Sequence, residues 1–223
     1  MRPWEHYRRY LLSGEWHAHT SFTDGENTVM EMAGQADRLG IPLIAFTEHV
    51  RRALDYDFGR FLDEIDEARQ AFPSLVVLSG VEAKVLPDGS LDVADDVIGR
   101  VDYPVFAFHS IPASKEIYLR CLQKAVESER ACAWAHPGFH PRHGLELDYS
   151  ELIDVFKALA RHGVLLELNA KHELPPEPWL RLAVRYGVDV VRGSDAHSIN
   201  DLVAAKVQGD KRNSGQLLGV YVV

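Results

Sequence analysis

The chain predicts an α/β fold in which seven βα units are wound about a parallel sheet. Two observations carry this reading. Seven short, nearly unbroken apolar runs recur along the chain, at residues 14–18, 43–46, 75–79, 105–108, 131–135, 164–168 and 188–191. Amphipathic segments separate them, and no repeat, linker or low-complexity tract interrupts the alternation. Runs that are apolar at both parities suit strands covered on both faces.

Taken in order, the first run ends in His17-Ala18-His19. A helix is expected over 28–39, where Val29, Met32, Ala33, Ala36 and Leu39 recur at helical spacing and Gly40 stops it. The second run leads into Thr47-Glu48-His49, and the third into Gly80-Val81-Glu82. Residues 85–91 carry the turn signal Pro87-Asp88-Gly89 between apolar flanks, which predicts a small hairpin or excursion. His109 follows the fourth run and His136-Pro137 the fifth. A second clear helical stripe, Leu152, Val155, Phe156 and Leu159, precedes Gly163. Asn169 and Lys171 follow the sixth run, and Arg192-Gly193-Ser194-Asp195-Ala196-His197 the seventh. The polar stretch 209–215 and the apolar 217–223 give no assignment.

Length and composition narrow the function classes. The 223 residues suffice for one α/β domain, expected to span 1–223. With 33 acids against 24 bases the net charge is -9, and no dense Lys/Arg block occurs, which argues against an extended nucleic-acid footprint. Cys121 and Cys132 form no CxxC pair, so neither a disulfide framework nor a thiolate zinc site is expected. Leu11-Leu12 is too short for a leader's apolar core, and no apolar stretch approaches the roughly 20 residues that span a bilayer. Reduced thiols and no membrane span give a cytoplasmic expectation. Nothing in the sequence bears on oligomeric state.

In a parallel βα fold the strand C-termini converge on one face, whose loops carry ligand and catalytic groups. His17, His19, His49, Glu82, His109, His136, Asn169 and Asp195 all stand at or just after a run's end, so residues distant in sequence meet there. Each has a bland alternative: Asp24 as a turn residue, Glu48-His49 as the start of a loop, Asp195 as a helix cap. Their shared position in successive units outweighs these. His17 and His19, two apart, share one face of an extended chain. Glu82 can bridge two cations, one per carboxylate oxygen, at roughly 3.5–4 Å. A set rich in imidazole and carboxylate suits Zn, Mn or Fe.

The ordered set His17-x-His19-Thr20, Thr23-Asp24-Gly25, Thr47-Glu48-His49, Gly80-Val81-Glu82, His109, His136-Pro137 and Gly193-Ser194-Asp195-Ala196-His197 resembles the polymerase and histidinol phosphatase (PHP) superfamily. The segment from Gly80 to Asp92 further resembles PHP domains attached to family X DNA polymerases and their free-standing phosphatase relatives. The resemblance implies a distorted (β/α)7 barrel with three divalent ions (Zn, Mn or Fe). In it His17, His19, Glu82 and Asp195 hold the first ion, Glu82, His109 and His136 the second, and Asp24, His49 and His197 the third. Two positions depart from the usual pattern: Glu48 stands where Asp usually precedes the histidine, and Glu15-Trp16 replaces Asp-Leu.

Such a cluster lowers the pKa of bound water and neutralises phosphoryl oxygens. The expected reaction is phosphoester hydrolysis of a small molecule by a metal-bridged hydroxide, with Glu82, Asp195 and His197 as catalytic groups and Asp195, or His197 if not saturated by metal, passing a proton to the leaving oxygen. Arg192, Lys171 and Arg142 are the candidate phosphate-binding cations. A metallo-amidohydrolase acting on a C–N bond and histidinol-phosphate phosphatase as the specific activity stay open, since fold does not fix function. Of the other histidines, His162 reads as a helix-end residue, His140 and His143 as loop residues, and His6 and His172 carry no signal.

Overall fold

The computed structural model describes residues 3–110, 114–139 and 147–213. Seven strands form one parallel sheet in chain order: β1 (Glu15–Ala18), β2 (Leu43–Val50), β3 (Val76–Lys84), β4 (Tyr103–Ala107), β5 (Ala133–Trp134), β6 (Leu165–Asn169) and β7 (Val190–Gly193). The sheet curls until its ends meet. Ala18 bridges Ala196 in parallel, with His19 N–H donating to the Ala196 carbonyl at 2.8 Å and Asp195 N–H to that of His17 at 2.8 Å. The result is a nearly closed barrel of seven strands.

The helices are α1 (Val29–Arg38), α2 (Phe58–Ala71), α3 (Asp95–Ile98), α4 (Lys115–Glu127), α5 (Tyr149–His162), α6 (Glu177–Arg185) and α7 (Ile199–Asn213). Thr28 caps α1 in a reciprocal box with Glu31, and Asp148 does the same for α5 with Glu151. Gly163, at φ 62, takes the left-handed turn that ends α5. The excursion after β3 is present as a Val85–Leu91 antiparallel bridge. A 3-10 segment, Pro3–Tyr10, precedes β1.

Alternate strand residues serve two separate cores. Ile44, Phe46, Val77, Val81, Phe106, Trp134 and Leu166 pack outward against the helices. Leu43, Ala45, Leu78, Tyr103, Val105, Ala107, Ala133, Leu165 and Val191 form a second cluster with Trp4, Leu11 and Trp16. This parity explains why the runs read as apolar throughout.

All seven expected strands exist, with shifted ends. β2 and β3 run on to Val50 and Lys84, in register from Leu43↔Val76 to Val50↔Ala83, so His49 and Glu82 lie within strands and not beyond them. The fifth run yields only Ala133–Trp134. The stretch from 209 continues α7 to Asn213, and 214–223 lie outside the described residues. Among the described residues no helix is long and apolar enough to cross a membrane.

Candidate metal centre

The inward parity that builds the lower core turns polar near the C-terminal ends of the same strands. Leu43 and Ala45 give way to Thr47 and His49, Leu78 to Glu82, Tyr103 and Val105 to His109, and Leu165 to Glu167 and Asn169. Side chains from all seven strand ends therefore meet at one mouth.

Glu82 stands at the centre, only 1% exposed, and its two oxygens face different partners. Oε2 lies 3.7 Å from His17 Nε2, 3.7 Å from His19 Nε2 and 2.9 Å from His49 Nδ1. Oε1 lies 2.8 Å from His136 Nε2 and 3.4 Å from His109 Nε2. Asp195 Oδ1 closes the first side at 3.5 Å from His19 Nε2 and 3.9 Å from His17 Nε2. Nearer the surface, the Asp24 carboxylate lies 3.4 Å from both His49 Nε2 and His197 Nε2. All nine sequence-predicted ligands thus gather here. His49 touches both the Glu82 group and the Asp24 group, a finer interleaving than three separate sets.

Three overlapping groups have ligand atoms within 4.8 Å of one another: His19, Asp24, His49 and His197; His17, His19 and Asp195; His49, Glu82 and His109. The same donor atoms that hydrogen-bond in part to one another also converge as a set that cations can occupy. His17 Nε2 and His19 Nε2 approach to 3.0 Å, two ring nitrogens side by side. His49 Nδ1 is buried and makes no aligned hydrogen bond despite its 2.9 Å approach to Glu82. Converging lone pairs of imidazole and carboxylate are a divalent-ion donor set.

Electrostatics follow from this crowding. Burial would drive Glu82 toward neutrality, but the His17 charge and hydrogen bonds from His109, His136 and His17 hold it well below the usual carboxylate range. Burial likewise opposes ionisation of Asp195, and the His17 charge with a His172 hydrogen bond reverses this, leaving it ionised. Burial lowers His17, and the charges of Glu167, Glu82 and Asp195 more than offset it, leaving His17 raised. Burial and the neighbouring His17 leave His19 lowered and neutral.

A supporting shell orients the ligands, and two of its members escaped sequence reasoning. Glu167 accepts from His17 Nδ1 at 2.6 Å, from the His136 backbone N–H at 2.5 Å and from Asn169 Nδ2 at 3.0 Å. Glu167 is placed to accept from Nδ1–H, so Nε2 is the nitrogen that faces a metal once His17 gives up its second proton. The His136 N–H bond also braces a backbone at φ 32. Gly193 makes room for this group, since a Cβ there would sit 2.0 Å from Glu167 Oε1. His172 Nε2 lies 3.3 Å from Asp195 Oδ2, and its ring packs on Phe139 at 4.3 Å between centroids. Glu167 sits inside an apolar run and His172 in a loop, so only the barrel's parity and closure could have revealed them.

Glu15 and Glu48 occupy the two departing positions. Glu15 accepts from Ser194 N–H at 2.7 Å and His17 N–H at 3.1 Å, joining β1 to the turn after β7. Burial pushes Glu48 up to about 7, against hydrogen bonds from Thr23 and Thr20.

The candidate cations part company. Lys171 Nζ reaches the mouth, 3.1 Å from His197 Nδ1 and 3.6 Å from Asp195 Oδ1. Arg192 turns instead to α7, donating to the Ala205 carbonyl at 2.6 Å. Arg142, His140 and His143 lie outside the described residues. His162 ends α5 and meets Glu129 at 3.2 Å, a helix-end role. The following helix uses Ser198 at its start, Asp201 N–H donating to Ser198 Oγ at 3.2 Å, which leaves Asp195 free of capping.

A family model described as PHP domain matches residues 15–172. The chain belongs to the PHP domain family. It is 30% identical over 204 residues to the DNA polymerase/3'-5' exonuclease PolX of Bacillus subtilis, covering 86% of this chain and 35% of that one. It therefore spans about a third of that relative's length. It is 26% identical over 193 residues to a protein of Acetivibrio thermocellus named as a probable phosphatase, covering 81% and 78% of the two chains. Among solved structures, a candidate histidinol phosphatase from Listeria monocytogenes superposes with a TM-score of 0.69 at 16% identity, covering 84% of this chain and 96% of that one, a likeness of fold.

Proposed function

We propose that this PHP chain is a metal-dependent phosphoesterase acting on a small molecule at a trinuclear site. The observation that carries the reading is Glu82, whose two buried oxygens address separate histidine groups, as a carboxylate shared by two ions requires. His17, His19, Glu82 and Asp195 would hold one ion, Glu82, His109 and His136 a second, and Asp24, His49 and His197 a third. Bound divalent ions, Zn, Mn or Fe, supply Lewis acidity that activates water near neutral pH and neutralises phosphoryl oxygens.

The chain's own groups do the positioning. Glu167 fixes the His17 tautomer and the His136 backbone, and His172 aims Asp195. Lys171, 44% exposed at the lip, is placed to pair with a phosphate oxygen. Asp195 and His197 face the same mouth, and the lowered pKa of Asp195, which keeps it ionised, favours His197 for protonating the leaving oxygen where a metal does not saturate its ring. The net charge of -9 supports a small substrate over a long polynucleotide. Probable-phosphatase names among relatives covered over most of their length agree with this class.

The test is hydrolysis of p-nitrophenyl phosphate by Mn- or Zn-loaded protein. Turnover that disappears with chelator and in His17→Ala or His197→Ala supports the proposal. A protein that holds its ions yet turns over no phosphorylated metabolite in a broad panel overturns it and favours the alternative, a C–N hydrolase.

A further inference from the structure

The three sets of ligands are held by different means. His17, Glu82 and His109 are carried by strands or their immediate ends, while Asp24 sits on the loop between β1 and α1 with 55% of its side chain exposed. A loop carboxylate that free would lose rotamer and backbone entropy on binding an ion unless something else fixed it first. Glu48, fully buried, accepts from Thr20 N–H at 2.9 Å, Thr20 Oγ1–H at 2.8 Å and Thr23 Oγ1–H at 2.5 Å. These three donors all belong to the loop that carries Asp24, and Thr23 is its immediate neighbour.

β2 thus sends consecutive side chains to two destinations: His49 to the cluster and Glu48 to the loop. The loop is also folded tightly on itself, with Gly25 N–H donating to the Thr20 carbonyl at 2.9 Å. A Cβ at Gly25 would sit 2.6 Å from the His19 carbonyl oxygen. Glu26 N–H then reaches the His197 carbonyl at 2.7 Å. The loop is therefore pinned on one side to β2, which carries His49, and on the other to the turn after β7, which carries His197, and Asp24 lies between the pins.

We infer that Glu48 is a positioning residue for the outermost ion, clamping the Asp24 loop through Thr20 and Thr23 so that the Asp24, His49 and His197 group exists before metal arrives. The inference rests on the trinuclear reading above and adds a hierarchy to it: one ion depends on the clamp and two do not. Glu48 touches neither metal nor substrate, and its effect passes through Asp24.

The experiment counts ions and does not depend on hydrolysis. Metal-free protein is titrated with Mn2+, and bound equivalents and their dissociation constants are measured by equilibrium dialysis with elemental analysis. Wild type is expected to take up three ions. Glu48→Ala is expected to keep two at unchanged affinity and to bind the third at least tenfold more weakly. Thr23→Val, which removes one clamp bond and leaves Glu48 in place, is expected to weaken the same ion by a smaller factor and guards against misfolding of the alanine variant. Glu48→Gln, which retains a carbonyl acceptor for Thr20, is expected to restore part of the loss. Unchanged binding of all three ions in Glu48→Ala and Thr23→Val overturns the inference. So does parallel loss of every ion in a folded variant, or a wild type that binds only the two ions those variants bind. A protein that passes this count but hydrolyses no phosphoester leaves the clamp standing and the proposed reaction refuted.

Discussion

The two ends of the barrel are built from the same strands and obey opposite chemistry. At the lower end Trp16 packs edge-on against Tyr103 at 5.0 Å between centroids, and Trp4 does so at 6.3 Å, closing the interior with apolar bulk. At the upper end the same inward parity presents imidazoles and carboxylates that repel, desolvate and shift one another. One end contributes stability and the other consumes it, which is what separates a scaffold from a site. Substitutions at the two ends should therefore fail in different ways.

The sharpest contrast comes from Glu82→Gln. Removing one charge from the shared carboxylate should lower kcat for a phosphoester by about 10^3-fold or more and cost bound metal, while the melting temperature of the metal-free protein stays the same or rises. Equal activity with full metal content would break the comparison. At the other end, Trp16→Ala should cost about 3–5 kcal/mol of stability in denaturant titration. Its kcat per folded, metal-loaded molecule should be unchanged, and a large loss of kcat there would show that the ends are not independent.

Smaller effects sharpen the boundary between them. Glu167→Ala leaves His17 without its acceptor and should weaken metal binding by about 10–100-fold. Dissociation constants read this directly. A pH effect follows from His17, which burial pulls down but the charges of Glu167, Glu82 and Asp195 raise overall in the metal-free protein. Being raised, it is protonated near neutrality and must give up that proton to bind an ion at Nε2, so metal uptake releases protons and weakens as pH falls. Calorimetry in two buffers of different ionisation enthalpy measures the release, and equal heats in both would contradict it. The smallest effect is expected from Lys171→Ala, a rise in KM of about tenfold or less with metal content intact, because an exposed ammonium is screened by solvent.

How legible this was depends on what each residue's neighbours reveal. The strands could be read because both parities are apolar, and the ligands because histidine and acid stand where apolar runs end. Strand lengths were less legible: nothing local in Thr47-Glu48-His49-Val50 says that pairing with β3 continues through it. Glu167 was hidden by its setting in Leu165-Leu166-Glu167-Leu168, where its inward direction follows from barrel parity alone. Arg192 illustrates the converse, since adjacency to the ligand turn in sequence suggested the mouth while the strand carries its side chain to Ala205. Position along the chain locates a ring of candidates, and only the closed sheet decides which way each one faces.

The clearest consequence lies at Gly193. The void left by its missing side chain is filled by the Glu167 carboxylate, so the smallest residue in β7 determines whether an imidazole on β1 can be aimed. Mutational tolerance at this position is therefore governed by a neighbouring strand's carboxyl group. Any methyl introduced there is felt first as lost metal affinity at His17, on the neighbouring strand of the closed ring, whose own Cβ would lie 2.7 Å from the added carbon.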